Sequence, residues 1–156
     1  MEKETAVVAA LIGKGWRIAF AESCTGGLAA ARLVNVPDAS RVLDASVVTY
    51  ANEAKVSYLG VEPETLAAHG AVSEQVAGQM AQGVAVRNGA QVGVGISGIA
   101  GPGGGTPEKP VGTVCFGFWV DGQLSTVTRQ FGDLGRNQVR AAAVEFVYDR
   151  LRQILR

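Results

Sequence analysis

Histidine and cysteine are scarce in this sequence, and their scarcity excludes several kinds of site. His69 is the only histidine among 156 residues, so a metal centre built from several histidines is excluded. The two cysteines stand in unlike surroundings, Cys24 in a polar turn and Cys115 in an apolar run, and neither has metal-ligand spacing around it. We therefore expect two reduced thiols and no bound metal or other cofactor.

The sequence also lacks an excess charge of either sign and any long apolar run. Lysine and arginine together number 14, as do aspartate and glutamate, so no net positive field attracts nucleic acid or anionic lipid. No apolar stretch reaches the length of a membrane span, and residues 1–5 are acidic and polar where a signal peptide is basic and then apolar. These absences predict a cytoplasmic protein without direct nucleic-acid or membrane partners.

What the sequence does contain is an alternation of apolar strands and helices. Helical spacing covers the opening dozen residues, and three short apolar segments follow at intervals, each before a helical stretch. The predicted strands are residues 16–21, 45–50 and 92–97. Two further strands, Thr113 to Val120 and Leu124 to Phe131, flank Asp121-Gly122, which is a strong hairpin signal. A last amphipathic helix closes the chain.

This order of elements predicts an α/β fold. Alternating strands and helices followed by a hairpin indicate a three-layer α/β/α sandwich, with a mixed sheet that includes a C-terminal antiparallel hairpin. The sequence shows no repeat, low-complexity tract or linker, so we expect one domain over residues 1–156.

Polar or glycine-rich loops follow three of the predicted strands. They are residues 22–27, 50–55 and 97–105. Open α/β sheets bind ligands beyond the carboxyl ends of their strands. We therefore expect the three loops to converge on one small-molecule site.

The first of these loops, Ser23-Cys24-Thr25-Gly26-Gly27, supports two interpretations. Its glycines allow backbone N–H groups to approach an anion, and the following helix directs its positive end to the same place. Alternatively, the glycines form a tight turn that Ser23 caps. Cys24 could be a nucleophile at a helix start, but a small residue in a tight turn is the favoured interpretation.

The glycine loop Gly101-Pro102-Gly103-Gly104-Gly105 lacks the spacing of a Walker loop and of a dinucleotide-binding loop. Nucleoside triphosphate hydrolysis is therefore not expected. Three nearby prolines restrict the loop, which favours a shaped wall of a binding site over a flexible surface loop.

A lysine near serines and a tyrosine in the sequence suggests the catalytic residues of a hydrolase. Lys55 lies five residues after Tyr50, and Ser40 and Ser46 precede both. A desolvated lysine can lose its proton and activate a serine hydroxyl. From spacing alone, a solvated surface lysine is the stronger interpretation. Similarly, Arg136 and Arg140 either bind a phosphate or are ordinary surface residues of an amphipathic helix.

Three stretches of the chain, in order, resemble the CinA carboxy-terminal domain family. The resemblance covers essentially the whole chain. The matching stretches are Ala21-Glu22-Ser23-Cys24-Thr25-Gly26-Gly27, then Val47-Val48-Thr49-Tyr50-Ala51-Asn52-Glu53-Ala54-Lys55, then Ser97-Gly98-Ile99-Ala100-Gly101-Pro102-Gly103-Gly104-Gly105-Thr106-Pro107-Glu108-Lys109-Pro110-Val111-Gly112-Thr113.

The resemblance implies an amidase that hydrolyses nicotinamide mononucleotide to nicotinic acid mononucleotide and ammonia, without a metal, by a Ser-Lys mechanism. Carried over by position, the catalytic residues implied are Ser40, Tyr50 and Lys55. The substrate-binding residues expected are Ser23, Thr25, Gly26, Gly27, Ser97, Gly98, Gly101, Gly104 and Arg136.

Three questions stay open at this point. Ser23 is as sensible a nucleophile as Ser40, because it stands at a helix start. The domain is alternatively a non-catalytic nucleotide-binding or protein-interaction module linked to competence or the DNA damage response, as the family's name suggests. A homo-oligomer is expected, since glycines and alanines on the helices allow close pairing of two copies.

Overall fold

The structure is a computed structural model that describes residues 1–156, with six α-helices and five β-strands. The helices are α1 (Lys3–Lys14), α2 (Leu28–Val34), α3 (Asn52–Leu59), α4 (Pro63–His69), α5 (Glu74–Arg87) and α6 (Arg136–Ile154). The strands are β1 (Ile18–Glu22), β2 (Val47–Val48), β3 (Val92–Gly98), β4 (Thr113–Val120) and β5 (Gln123–Gln130). A single 3-10 turn, Ala39–Arg41, follows α2. No helix combines the length and the apolar character needed to cross a membrane.

The five strands form one mixed sheet between two helical layers. Their order is β2-β1-β3-β4-β5, in which β1 is parallel to both neighbours and β4 is antiparallel to both of its own. Helices α1, α2 and α6 bury the larger core against one face, and α3 and α5 bury a smaller core against the other. The predicted α/β sandwich with a mixed sheet is therefore confirmed.

The C-terminal hairpin forms where the sequence predicts it. Asp121 and Gly122 both have positive φ, at 47° and 91°, as the turn of a tight hairpin requires. The second predicted strand, in contrast, is much shorter than residues 45–50. Only Val47 and Val48 pair with β1 as strand residues, and the next two carbonyls accept hydrogen bonds from Lys55.

Helix α5 lies unusually close to the sheet because glycines face it. A Cβ on Gly95 would stand 2.2 Å from the carbonyl oxygen of Ala77, and one on Gly117 would stand 2.4 Å from the same atom. Neither distance is possible for real atoms. These glycines therefore set the distance between α5 and the sheet, and with it the position of α3, which packs on α5.

We predict that Gly95→Ala destabilises the fold by about 1–3 kcal/mol, the usual cost of forcing an extra methyl group into a packed interior. Gly103→Ala is the matched control, because nothing lies within 4 Å of a Cβ at that position. Urea unfolding followed by circular dichroism measures both. Equal stability of the two variants would contradict the close packing of α5.

Candidate functional site

Three hydroxyl side chains stand side by side where β2, β1 and β3 end. The Ser23 N–H donates to the Ile96 carbonyl at 3.0 Å, and the Thr49 N–H donates to the Glu22 carbonyl at 2.9 Å. These bonds extend both parallel ladders by one residue, which places Thr49, Ser23 and Ser97 in neighbouring positions about 4.8 Å apart. By strand alternation, all three belong to the face that α3 and α5 cover.

Lys55 reaches the row of three hydroxyls, Thr49, Ser23 and Ser97, from α3. Its Nζ donates to Ser23 Oγ at 3.3 Å, to the Thr49 carbonyl at 2.8 Å and to the Tyr50 carbonyl at 3.1 Å. The residue is 1% exposed and has no carboxylate among its partners. Burial therefore lowers the pKa of the Lys55 amine, because removing the ammonium from water disfavours its charge.

The Thr49 hydroxyl is the one buried side-chain polar atom in the structure without a hydrogen-bond partner. Thr49 is 1% exposed, and its backbone is fully engaged with Glu22 and Lys55. An unpaired buried hydroxyl costs about 1–3 kcal/mol relative to a paired one. The fold tolerates that cost immediately beside the Ser23–Lys55 pair.

The Glu22 carboxylate fills the amino end of α2. It is fully buried and accepts hydrogen bonds from the Thr25 hydroxyl at 2.6 Å and from the N–H groups of Gly27, Ala29 and Ala30 at 3.2, 2.9 and 3.0 Å. Four donors compensate this buried charge. The positive end of α2 is thus neutralised by a side chain of the protein itself.

Two amides of the same turn donate no hydrogen bond within the chain. They belong to Cys24 and Thr25, directly after Ser23, whereas the Gly26 N–H donates to the Ser23 carbonyl. Burial raises the pKa of the Cys24 thiol to about 11. This thiol is therefore protonated near neutral pH, and what the turn offers chemically is its free N–H groups.

Helix α6 ties the converging loops together through two arginines. Arg136 donates to the Gly101 carbonyl at 2.7 Å and to the Tyr50 hydroxyl at 3.0 Å. Arg140 donates to the carbonyls of Cys24 and Thr25 at 2.9 and 3.4 Å. All three polar loops predicted from the sequence therefore meet at the amino end of α6.

The glycine loop spans the end of the sheet between the two helical layers. Gly98 closes β3, with Cys24 Sγ 3.1 Å from where its Cβ would stand. Gly101 is bound by Arg136, whereas Gly104 lies exposed farther along the loop. At the far end, Lys109 donates to the His69 carbonyl at 2.6 Å and anchors the loop to α4. Nowhere do three His, Cys, Asp or Glu side chains group as metal ligands do.

Comparison with known proteins assigns the chain to a family. The sequence model of the CinA C-terminal domain matches residues 1–155. The chain belongs to the CinA C-terminal domain family. Two similar curated proteins, both called CinA-like, are 48% identical over 97% of the chain in Kosmotoga olearia and 54% identical over 96% in Anaeromyxobacter dehalogenans strain 2CP-1. The chain spans little more than a third of their lengths, 37% and 36%.

Solved structures of CinA-superfamily proteins share the fold. The CinA superfamily protein from Klebsiella pneumoniae 700603 is 42% identical, with a TM-score of 0.93 over 98% of this chain and 95% of that one. A competence or damage-inducible protein from Enterobacter asburiae is 35% identical, with a TM-score of 0.95 over 99% and 97%.

One catalytic residue expected from the family resemblance does not lie at the site. Ser40 is exposed in the 3-10 turn, where its carbonyl accepts from Arg17 at 3.4 Å. Val42, two residues on, accepts from the N–H of Ile18, so this turn packs at the amino end of β1. Because β1 is about 13 Å long, Ser40 is remote from Lys55. The expected Ser40–Lys55 pair is wrong, and Ser23 occupies that position.

Two further expectations change in detail. The Tyr50 hydroxyl accepts a hydrogen bond from Arg136, and only the Tyr50 carbonyl contacts Lys55, so the phenol of this expected catalytic residue does not contact Lys55. The Thr25 hydroxyl and the Gly27 N–H bond Glu22, so the expected anion cradle at residues 23–27 already holds a carboxylate. Gly26 is exposed beside Arg140 and makes the turn.

Sequence reasoning missed two residues of this CinA-family site, Glu22 and Thr49, and left the role of Arg140 open. Glu22 is a charged residue at the end of an otherwise apolar strand, six residues before a helix. That position is a sequence signal for a side chain that caps the helix from within the protein. Arg140 follows Arg136 by one helical turn, which places both on one face. The missing partner of Thr49 leaves no sequence signal, because it depends on packing.

We predict that Thr49→Val raises the free energy of unfolding by about 1 kcal/mol, because valine keeps the shape and removes an unpaired hydroxyl. Thr49→Ser is the control, which keeps the hydroxyl and loses a buried methyl group, and it should lower stability by about 1 kcal/mol. Thermal and urea unfolding measure the pair. A less stable valine variant would mean that the hydroxyl has a partner in solution.

Proposed function

We propose that this domain is a hydrolase that converts nicotinamide mononucleotide to nicotinic acid mononucleotide and ammonia, with Ser23 as nucleophile and Lys55 as base. The observation that carries the chemistry is the Lys55 amine, buried, without a carboxylate and 3.3 Å from Ser23 Oγ. The substrate follows from the family resemblance. The names of the CinA-family relatives add no substrate of their own.

The three acceptors around Lys55 favour a neutral amine at work. A neutral amine has two N–H groups and one lone pair. The Thr49 and Tyr50 carbonyls take the two N–H groups, which directs the lone pair to the Ser23 hydroxyl. In this form Ser23 donates its proton to Nζ as its oxygen attacks.

The reaction then proceeds in two balanced steps. Ser23 Oγ bonds the carboxamide carbon while its proton passes to Lys55 Nζ, and the resulting ammonium protonates the amide nitrogen as the C–N bond breaks. Ammonia departs and leaves an ester on Ser23. The neutral Lys55 then deprotonates a water, whose oxygen attacks the ester carbon. Lys55 returns the proton to Ser23 Oγ as the ester bond breaks.

The amides of Cys24 and Thr25 are the donors available for the developing oxyanion. Both adjoin Ser23 and neither donates within the chain. Arg140 donates to the Cys24 carbonyl, which fixes the peptide group that carries the Thr25 N–H, and the Gly26 N–H donates to the Ser23 carbonyl, which fixes the peptide group that carries the Cys24 N–H. A preorganised donor of this kind contributes about 10²–10³ in rate.

The substrate phosphate belongs at α6 in this proposal. Glu22 already occupies the amino end of α2, and a second anion there would be repelled. The amino end of α6 carries unsatisfied N–H groups together with Arg136 and Arg140, which suit a phosphate. Arg136, placed by the Tyr50 hydroxyl, is the residue expected to reach it.

The test compares Ser23→Ala with Ser40→Ala on nicotinamide mononucleotide, with ammonia and the one-dalton mass gain of the product measured together. We expect Ser23→Ala to lose at least about 10³-fold in kcat, because no other hydroxyl contacts Lys55. Ser40→Ala should keep wild-type turnover, since it lies at the other end of β1.

Two results would count against the proposal. Full activity of Ser23→Ala would exclude the nucleophile. A wild-type domain that binds the nucleotide without releasing ammonia would favour the non-catalytic interaction module, the alternative that fits solved relatives named competence- or damage-inducible proteins.

We predict that kcat/KM rises with pH to a plateau below pH 10.5, because the active Lys55 amine is neutral and burial holds its pKa below that ordinary value. Lys55→Arg, which stays protonated, should be inactive at every pH. The pH dependence of stability is a second test of the lowered Lys55 pKa. Between the folded pKa and 10.5 the unfolded chain binds more protons, so stability attributable to Lys55 rises with pH there.

Lys55→Met is the matched control for the pH dependence of stability, because it lacks the titrating amine. The difference in unfolding free energy between wild type and Lys55→Met should shift in favour of wild type as the pH approaches 10.5. A difference that stays constant with pH would show that Lys55 titrates normally.

A further inference from the structure

A groove on the α1–α6 side of the molecule is lined by arginines. Its volume is about 670 Å³, and it runs between α1, the carboxyl-terminal half of α6 and Arg129 of β5. We call it the arginine groove after Arg129, Arg150, Arg152 and Arg156. Arg150 follows Arg136 along the same helix by about 21 Å, so the groove is separate from the Ser23 site.

Two guanidinium groups of the groove stack on one phenyl ring. The Cζ atoms of Arg129 and Arg150 lie 4.9 and 5.2 Å from the ring centroid of Phe146. Each also lies over a second ring, Arg129 over Phe131 at 5.7 Å and Arg150 over Phe118 at 5.9 Å. The aromatic rings therefore hold both guanidinium planes in place.

The edges of these guanidinium groups have no partner in the chain. None of the four groove guanidinium groups donates a hydrogen bond to a side chain or a carbonyl, and none forms an ion pair. Asp149 is the only acidic residue that lines the groove, and it pairs with Lys3 at 2.6 Å. Although the whole chain has zero formal charge, positive charge is concentrated here without compensation.

This arrangement is suited to an oxyanion. Two like charges beside one ring repel each other, and an anion that reaches both guanidinium groups would replace that repulsion by attraction. A guanidinium edge binds phosphate through two parallel N–H groups, and side chains already held by stacking lose little entropy on binding. A concave groove of this size also favours a small anion over a duplex or a flat membrane surface.

We propose that the arginine groove binds a small phosphate-bearing molecule of the diphosphate class, through Arg129 and Arg150 fixed on Phe146. The site is independent of the Ser23 chemistry, because none of its residues contacts the polar loops at the strand ends. Phe146 acts by positioning the two cations.

The test is calorimetric titration of the full chain with inorganic pyrophosphate and, separately, with inorganic phosphate at low salt. We expect saturable binding that is tighter for pyrophosphate. Arg129→Gln and Arg150→Gln should each weaken it about tenfold or more, since each removes a charged bidentate contact. Arg41→Gln, which removes an equal charge from the exposed 3-10 turn, should bind like wild type.

Two further variants separate a built site from general attraction. Phe146→Leu leaves every charge in place, so weaker binding by this variant supports the stacked geometry, and wild-type binding overturns it. Arg136→Gln removes the arginine proposed for the substrate phosphate and should keep the pyrophosphate binding that depends on Arg129 and Arg150. Loss of all saturable binding in Arg136→Gln would place the anion at the Ser23 site and overturn the proposal.

Melting curves without ligand identify folded variants, and if Phe146→Leu does not fold, the two arginine variants decide. The proposal also fails if pyrophosphate does not bind saturably, if Arg41→Gln weakens binding equally, or if an oligonucleotide binds the same arginines more tightly than pyrophosphate.

Discussion

The polar end of this domain depends on the burial of one amine. Lys55 is enclosed by the carbonyls of Thr49 and Tyr50 and by the Ser23 hydroxyl, and no counter-ion accompanies it. Those carbonyls are available only because β2 stops after Val48 and the chain turns into α3. The short edge strand, the start of α3 and the chemistry proposed for Ser23 are therefore consequences of the same contact.

Close packing on the same face of the sheet maintains this enclosure. Gly95 and Gly117 let α5 approach until its backbone touches the strands, and α3 packs on α5. If α5 were farther out, α3 would follow and water would reach the amine, which would return its pKa toward the ordinary value. The small residues of the sheet thus act on the pKa of a residue that they do not contact.

Most of the fold was predictable from the sequence, because apolar periodicity, Asp121-Gly122 and the polar ends of strands report local structure. The convergence of three loops followed from the general geometry of parallel strands. The choice of serine was not predictable in the same way. Ser40 and Ser23 both precede Lys55 in sequence, and only the direction of β1 decides which of them shares an end of the sheet with it. Likewise, the cap made by Glu22 depends on how the turn folds, whereas in the sequence the same turn looks like a loop that binds an external anion.

The buried carboxylate of Glu22 has a consequence for how a nucleotide can lie on this surface. A helix start that receives no internal anion attracts phosphate, whereas α2 presents a site already saturated with negative charge. Three helices start at this end of the sheet: α2 is occupied by Glu22, α3 carries Glu53 in its first turn, and α6 has no acidic residue in its first turn, so α6 is the start best suited to a phosphate group. In the reaction proposed for Ser23, a mononucleotide therefore lies with its anionic tail toward α6 and its uncharged carboxamide toward the hydroxyls of Thr49, Ser23 and Ser97, and the internal acid Glu22 favours that orientation.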